Sequence, residues 1–210
     1  EPDATTVVEP GWSATVSPVG HLVLTRVAGT EHADADTSVD PVMLELFNNL
    51  FMSIAEQMGA RLESTAQSVN IKERLDFSCA LLDAAGELVV NAPHIPVHLG
   101  SLGLCVRAVC AELDLQPGDV AVTNHPACGG SHLPDLTVVA PVYTTGGTLL
   151  GYVAARAHHA ELGGVRPGSM PPDARCLAEE GVVIPPTLVV AGGEPRFDHL
   201  RKILLAPPYP

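Results

Sequence analysis

Hydrophobic residues recur most regularly in residues 41–66, "PVMLELFNNLFMSIAEQMGARLESTA". Leu44, Phe47, Ile54 and Met58 belong to a series of apolar residues three or four positions apart. This spacing places them on one face of an α-helix. The pattern therefore predicts a helix over about 41–66, whose apolar face we expect to lie in the protein core.

Other segments predict antiparallel strands and a second helix. Residues 77–83 and 87–91 flank the turn sequence "DAAG", and 136–143 and 148–157 flank "TGG", so each pair predicts a β-hairpin. The stretch 102–113, "LGLCVRAVCAEL", has the apolar spacing of a helix. Helices and strands follow one another without a regular βαβ order. The predicted fold class is α+β, a mixed or antiparallel sheet with packed helices, preceded by a short all-β segment.

The chain divides by composition into three parts. Residues 1–28 contain short apolar runs separated by turn sequences and predict strands, which we interpret as the tail of a preceding β domain. Residues 29–39 are small, acidic and without periodicity, as is typical of a linker. Residues 40–210 form the main body. Because the chain begins with Glu1 and not with Met, we expect a fragment or a processed product.

Composition excludes several classes of partner. The chain has 210 residues, 46% of them hydrophobic, and a net charge of -13 from 11 Lys+Arg against 24 Asp+Glu. Without a basic cluster, we expect neither a nucleic-acid partner nor an anionic membrane. No stretch reaches the roughly 18 apolar residues of a membrane-spanning helix. The five cysteines are irregularly spaced, which indicates reduced thiols in a cytoplasmic protein.

Four residues near the second predicted hairpin form a candidate metal site. His132 and Asp135 precede its first strand, and His158 and His159 follow its second strand. Antiparallel pairing would bring the start of one strand beside the end of the other. Imidazole and carboxylate ligands suit Zn, Mn or Fe. Adjacent residues of a strand point to opposite faces, so at most one of His158 and His159 is expected to bind the ion directly. The alternative is that these histidines are ordinary hydrogen-bonded loop residues.

Two further histidines lie in "PHIPVHLGS". His94 and His98 are four residues apart, the spacing of a ligand pair on a helix, but Pro93 and Pro96 argue against a helix there. The sequence leaves two interpretations, a loop that contacts substrate and an ordinary polar loop, and favours the second.

Three more residues have side chains suited to chemistry. His125 ends the strand before "HLPD" and lies close enough in sequence to join the metal site. Asp76 ends the charged run "KERLD" and leads directly into a strand, although such runs are commonly solvated surfaces. Cys128, in "ACGG", is a candidate nucleophile, but a small buried thiol is the favoured interpretation.

With these segments in view, residues 40–190 resemble the hydantoinase B / 5-oxoprolinase family. The resemblance rests on these stretches, in this order along the chain: "NIKERLDFSCALLDAAGELV", "APHIPVHLGS", "PGDV", "GGSHLPDLTVVAPV", "RAHHAELGG" and "PGSMPPDA". Residues 1–28 resemble the end of the family's partner, hydantoinase A. The resemblance implies that 40–210 is the N-terminal part of a B-like domain, fused behind an A-like domain.

The resemblance also implies an activity, the ATP-dependent hydrolytic opening of a cyclic amide such as 5-oxoproline, a hydantoin or a related lactam. The A-like part would bind ATP–Mg and phosphorylate the carbonyl oxygen. The B-like part would hydrolyse the activated intermediate with a divalent metal held by His132, Asp135 and His158. A homo- or hetero-oligomer that includes the A-like domain or subunit is expected.

The remaining candidate residues also receive predicted roles. The candidate catalytic residues are His159 and Asp76, and the candidate substrate-binding residues are His94, His98 and His125. The family commonly has "NDP" where this chain has "NHP", so that His125 replaces an aspartate. Because of this replacement, the exact substrate of the family cannot simply be assigned to this chain.

Two other functions stay open at this point. The family also contains ATP-dependent ketone carboxylases of the acetone and acetophenone type, which need bicarbonate as well as ATP. The segment could instead be a non-catalytic assembly part of a larger complex.

Overall fold

A computed structural model describes residues 6–27, 40–92 and 95–206. The chain falls into two compact units, one within Glu1–Pro41 and the other within Val42–Pro210. The first contains an antiparallel hairpin of β1 (Trp12–Val16) and β2 (Leu22–Arg26). Across the described residues, no helix is long and apolar enough to cross a membrane.

The second unit is built around one sheet of seven strands. Its strands are β3 (Phe77–Asp83), β4 (Leu88–Asn91), β5 (Val120–Thr123), β6 (Asp135–Tyr143), β7 (Leu149–His158), β8 (Thr187–Ala191) and β9 (Glu194–Pro195). Their order in the sheet is β4-β3-β7-β6-β5-β8-β9, and every neighbouring pair is antiparallel. The helices are α1 (Pro41–Thr65), α2 (Val69–Lys72), α3 (Pro96–Glu112), α4 (Leu177–Glu180) and α5 (Phe197–Leu205), with a 3₁₀ turn at Pro126–Cys128. The α+β fold class and both predicted hairpins are confirmed.

Helices cover both faces of the sheet. Alternate residues of β3 point to opposite faces. Leu82 and its neighbours on that face pack under α3, against Leu102 and Val106, to form the main apolar core. Phe77, on the other face, packs with Ile71 of α2 and the C-terminal part of α1. The sheet is thus the middle layer of three.

The long helix α1 has nearly the predicted bounds, but only part of its apolar face is buried. Ala55 is fully buried, whereas Leu44, Phe47 and Leu50 near the start of the helix are about half exposed. The expectation that the whole apolar face lies in the core is therefore wrong for the first half of α1. Apolar periodicity indicates which face of a helix seeks a partner, but not whether the partner lies within the same 210 residues.

The face of the sheet under α3 changes character along its length. Its central part is apolar, with Ala80, Val139 and Ala154. Towards the start of β6 and the end of β7 the same face becomes polar and remains buried. The buried polar residues there are Ser78, Thr137, Arg156, Asp135 and His158, and His98 is added from α3. The candidate chemistry therefore lies at one end of this layer.

Candidate metal centre

The hairpin of β6 and β7 brings the predicted ligands together. Asp135, the first residue of β6, is the register partner of His158, the last residue of β7. The distance from His158 Nδ1 to Asp135 Oδ1 is 2.6 Å. His132, three residues before Asp135, places its Nδ1 3.5 Å from Asp135 Oδ2. One ligand atom from each of the three residues lies within 4.8 Å of the other two.

Asp135 is the most strongly constrained member of the group. Its side chain is 1% exposed. Burial disfavours its charged form, but hydrogen bonds from His158 and Ser131, together with the nearby His98 ring, outweigh burial and hold the pKa of the carboxyl well below its ordinary value. The carboxylate is therefore ionised at neutral pH, as a metal ligand must be.

His158 contacts a polar group at each ring nitrogen. The hydrogen bond with Asp135 is the largest cause that raises its pKa, and burial opposes it. Its Nε2 lies 2.7 Å from Ser169 Oγ. Its ring also contacts that of His132 edge to face, with 5.7 Å between the centroids. The cluster is thus packed from several sides, and its side chains are held in place before any ligand binds.

His98 lies in a helix and not in the predicted loop. Helix α3 begins at Pro96, because proline is tolerated at the first position of a helix, where its missing N–H has no intrahelical partner. The expectation that Pro96 excludes a helix at His98 is therefore wrong. The His98 ring is 2% exposed, its Nδ1 lies 3.1 Å from Ser78 Oγ, and its Nε2 lies 3.7 Å from Asp135 Oδ2.

The cluster opens on a cavity of about 660 Å³. Its walls include His98, His132, Asp135 and His158, and also the candidate catalytic residue Asp76. The backbone oxygen of Asp76 accepts a hydrogen bond of 3.0 Å from the N–H of His158, so the two residues are fixed side by side. A small organic molecule could therefore contact the cluster and the Asp76 carboxylate at the same time.

Two of the other predicted site residues, His125 and His159, are described and lie outside the described cavity wall. His125 is not part of the described cavity wall, and its Nδ1 accepts a hydrogen bond from the N–H of Ala127. His159 follows β7, its N–H donates to Pro134 O, and burial lowers the pKa of its ring. His159 is also absent from the described cavity wall. His94 lies outside the described residues. The roles assigned to these three histidines stay predictions.

Sequence reasoning missed several residues of the site. Ser131 hydrogen-bonds Asp135, and Ser169 contacts His158, yet neither serine was singled out. Ser131 lies within the quoted stretch "GGSHLPD", so its closeness in sequence to Asp135 was an available clue. Ser169 lies eleven residues after His158, and no periodicity connects the two. Arg74 also lies on the cavity wall, although its charged run suggested a solvated surface.

The donor set fits a divalent transition metal. Two imidazoles and one ionised carboxylate match the ligands of Zn, Mn and Fe sites, and three protein ligands would leave positions for water or substrate. Ligand atoms around one ion at bond lengths of about 2.0–2.2 Å must themselves lie only a few ångströms apart. The spacing within 4.8 Å meets this condition. The hydrogen bond from Ser131 to Asp135 and the contact between Ser169 Oγ and His158 Nε2 are outer contacts of the kind that orient metal ligands.

These features define an α+β protein with a candidate divalent-metal site on the wall of a cavity. The family model for Hydantoinase B/oxoprolinase matches residues 40–208. The chain therefore belongs to the Hydantoinase B/oxoprolinase family, which confirms the resemblance of the main body. The division into an A-like tail, a linker and a B-like part stays a prediction.

Curated relatives carry related names. The chain is 50% identical over 175 residues to 5-oxoprolinase of Saccharomyces cerevisiae, which is 82% of this chain and 14% of the relative. It is 47% identical over 208 residues to 5-oxoprolinase 1 of Arabidopsis thaliana, which is 98% of this chain and 16% of the relative. The chain thus spans about a sixth of the length of these relatives.

Solved structures share the fold. The crystal structure of ATP-dependent caprolactamase from Pseudomonas jessenii aligns with a TM-score of 0.72 and 31% identity, over 80% of this chain and 29% of that one. A nucleotide-free structure of acetone carboxylase aligns with the same TM-score at 21% identity, over 78% of this chain and 22% of that one. At 21% identity, the similarity to acetone carboxylase shows only that the two chains share a fold.

Proposed function

We propose that this chain is the hydrolytic part of an enzyme that opens a cyclic amide at the expense of ATP, with 5-oxoproline, a hydantoin or a related lactam as substrate. The observation that carries the proposal is the His132–Asp135–His158 cluster on a cavity wall, in a chain of this family whose curated relatives include 5-oxoprolinases. ATP would be bound as ATP–Mg by a hydantoinase A-like domain or subunit, to which we assign residues 1–28 as the tail and 29–39 as the linker.

The need for ATP follows from the chemistry of the ring. Resonance makes a lactam carbonyl a poor electrophile, and phosphorylation of its oxygen removes that resonance. Addition of water to the activated carbon forms a C–O bond and releases a proton. The released proton passes to the ring nitrogen as the ring C–N bond breaks, which leaves an amine and an acyl phosphate. A second water converts the acyl phosphate into a carboxylate and inorganic phosphate.

Different residues of this chain would have different chemical roles in the cavity. Asp76 lies on the cavity wall, and among the described residues its side chain has no hydrogen-bond or salt-bridge partner, so it would take the proton of the attacking water. His132, Asp135 and His158 would hold a Zn, Mn or Fe ion. A bound ion would supply Lewis acidity towards a substrate oxygen or towards water. His98 would keep the Asp135 carboxylate in place from the side of α3.

The test uses the complete protein that carries this chain, together with its ATP-binding part. ADP release and ring-opened product are measured for 5-oxoproline, hydantoins and simple ketones, with and without bicarbonate, and bound metal is measured by elemental analysis. His132→Ala and Asp135→Ala are expected to lose metal and ring opening together. His199→Ala, an exposed histidine away from the cavity, serves as the matched control.

Two results would contradict the proposal. Product formation from a ketone that depends on bicarbonate would assign the chain to a carboxylase. Unchanged turnover and metal content in His132→Ala and Asp135→Ala would favour an assembly role without catalysis.

A further inference from the structure

One arginine faces the cavity beside the metal cluster. Arg74 is exposed and lies on the cavity wall, where it is the only lysine or arginine among the described lining residues. Within the described part of the chain its guanidinium makes no hydrogen bond and no ion pair. Its five N–H donors are available to a ligand.

The backbone directs Arg74 and Asp76 to the same cavity. Leu75 between them has φ 54°, the left-handed conformation that residues with a side chain rarely adopt. The turn is closed by a hydrogen bond of 2.9 Å from the N–H of Asp76 to Asn70 O. On its other side, Asp76 O accepts from the N–H of His158 at 3.0 Å. Strained turns that the surrounding structure holds in this way are concentrated at functional sites.

Arg74 and the metal cluster share one cavity. Arg74, His132, Asp135 and His158 all lie on its wall. A ligand that contacts the guanidinium would therefore also lie beside the His132–Asp135–His158 cluster. A guanidinium binds planar or tetrahedral oxyanions with two parallel N–H···O bonds.

We propose that Arg74 binds an anionic oxygen group of the substrate, a carboxylate or a phosphoryl group, at the rim of the cavity. This inference rests on the proposed function and specifies the class of substrate that the site accepts. Two sources could supply the anion. A lactam such as 5-oxoproline carries a carboxylate on its ring, and the activated intermediate carries a phosphoryl group on the former carbonyl oxygen.

Arg74→Gln and Arg74→Lys in the complete protein separate these sources, with 5-oxoproline and 2-pyrrolidinone as substrates. The second compound has the same ring without the carboxylate. If Arg74 binds the ring carboxylate, Arg74→Gln raises the KM for 5-oxoproline about 10- to 100-fold, the loss expected for a charge-assisted contact, and leaves 2-pyrrolidinone unchanged. If Arg74 binds the phosphoryl group, Arg74→Gln lowers product formation from both lactams about 10- to 100-fold, while ADP release continues. Arg74→Lys retains part of the effect, because it keeps the charge but loses the second N–H bond.

The matched control is Arg61→Gln, an exposed arginine of α1 outside the described cavity wall. Calorimetric titration of wild-type protein and both Arg74 variants with 5-oxoproline, and separately with inorganic phosphate, gives a readout without ATP or turnover. A wild-type protein that turns over neither lactam would contradict the proposed function, and the titrations would still decide the role of Arg74. Kinetics and titrations of Arg74→Gln that match those of Arg61→Gln would overturn this inference.

Discussion

The buried arginine of β7 offers a test of how the site is held together. Arg156 is fully buried, and its guanidinium donates three hydrogen bonds. Nε donates to Thr137 Oγ1 at 2.8 Å, Nη1 to Ser101 Oγ at 2.5 Å, and Nη2 to Gly129 O at 2.8 Å. These partners lie on β6, on α3 and in the loop before His132. Arg156 thus joins the three segments that carry Asp135, His98 and the approach to the metal cluster.

The effect of Arg156→Ala can be estimated from the acceptors that it leaves behind. A buried acceptor that loses its donor costs about 1–3 kcal/mol. Two of the three acceptors here are only partly buried, so the lower end of that range applies, about 3 kcal/mol in total. Arg156→Lys should cost less, because it keeps the charge, although an ammonium cannot match the planar arrangement of three separate acceptors.

Hydrogen exchange read by mass spectrometry measures this change locally. A loss of about 3 kcal/mol in local opening free energy corresponds to roughly 100-fold faster exchange. The faster exchange should appear in the amides of β6 and β7. Arg61→Ala, on the exposed surface of α1, provides the control. Exchange in β6 that accelerates no more in Arg156→Ala than in the control would refute the assigned structural role.

Two further predictions concern packing and thiols. Gly130→Ala should destabilise the loop before β6, because the added Cβ would lie 2.6 Å from the backbone oxygen of Asn124. Thermal unfolding should show a lowered Tm, and an unchanged Tm would contradict this prediction. In native protein at pH 8, iodoacetamide should label the exposed Cys176 rapidly and leave Cys79 unlabelled, since burial raises the pKa of the Cys79 thiol to about 11. Peptide mapping reads both sites, and labelling of Cys79 at the rate of Cys176 would count against its burial.

The sequence predicted the elements that depend on local patterns. The helix of 41–66 and the two hairpins follow from apolar spacing and turn residues, and the pairing of Asp135 with His158 follows from the second hairpin. Antiparallel register fixes which residues meet across a hairpin, so one correct strand pair was enough to predict a three-residue cluster.

The features that could not be predicted from the sequence depend on contacts between residues that are far apart along the chain. The approach of His98 to Asp135 needs the position of α3 over the sheet, which no local pattern specifies. Arg156 looks like a surface residue until its three partners from separate segments are known. The turn at Leu75 requires a left-handed conformation at a residue other than glycine, which propensity alone argues against.

Anomalous diffraction from crystals of the metal-supplemented complete protein tests the central claim most directly. Data collected at the absorption edges of Mn, Fe and Zn should give one strong peak within about 2.0–2.3 Å of nitrogen and oxygen atoms of His132, Asp135 and His158. The same peak should be missing from crystals of Asp135→Ala. A peak coordinated by other residues, or none at these three side chains at any of the edges, would contradict the metal centre.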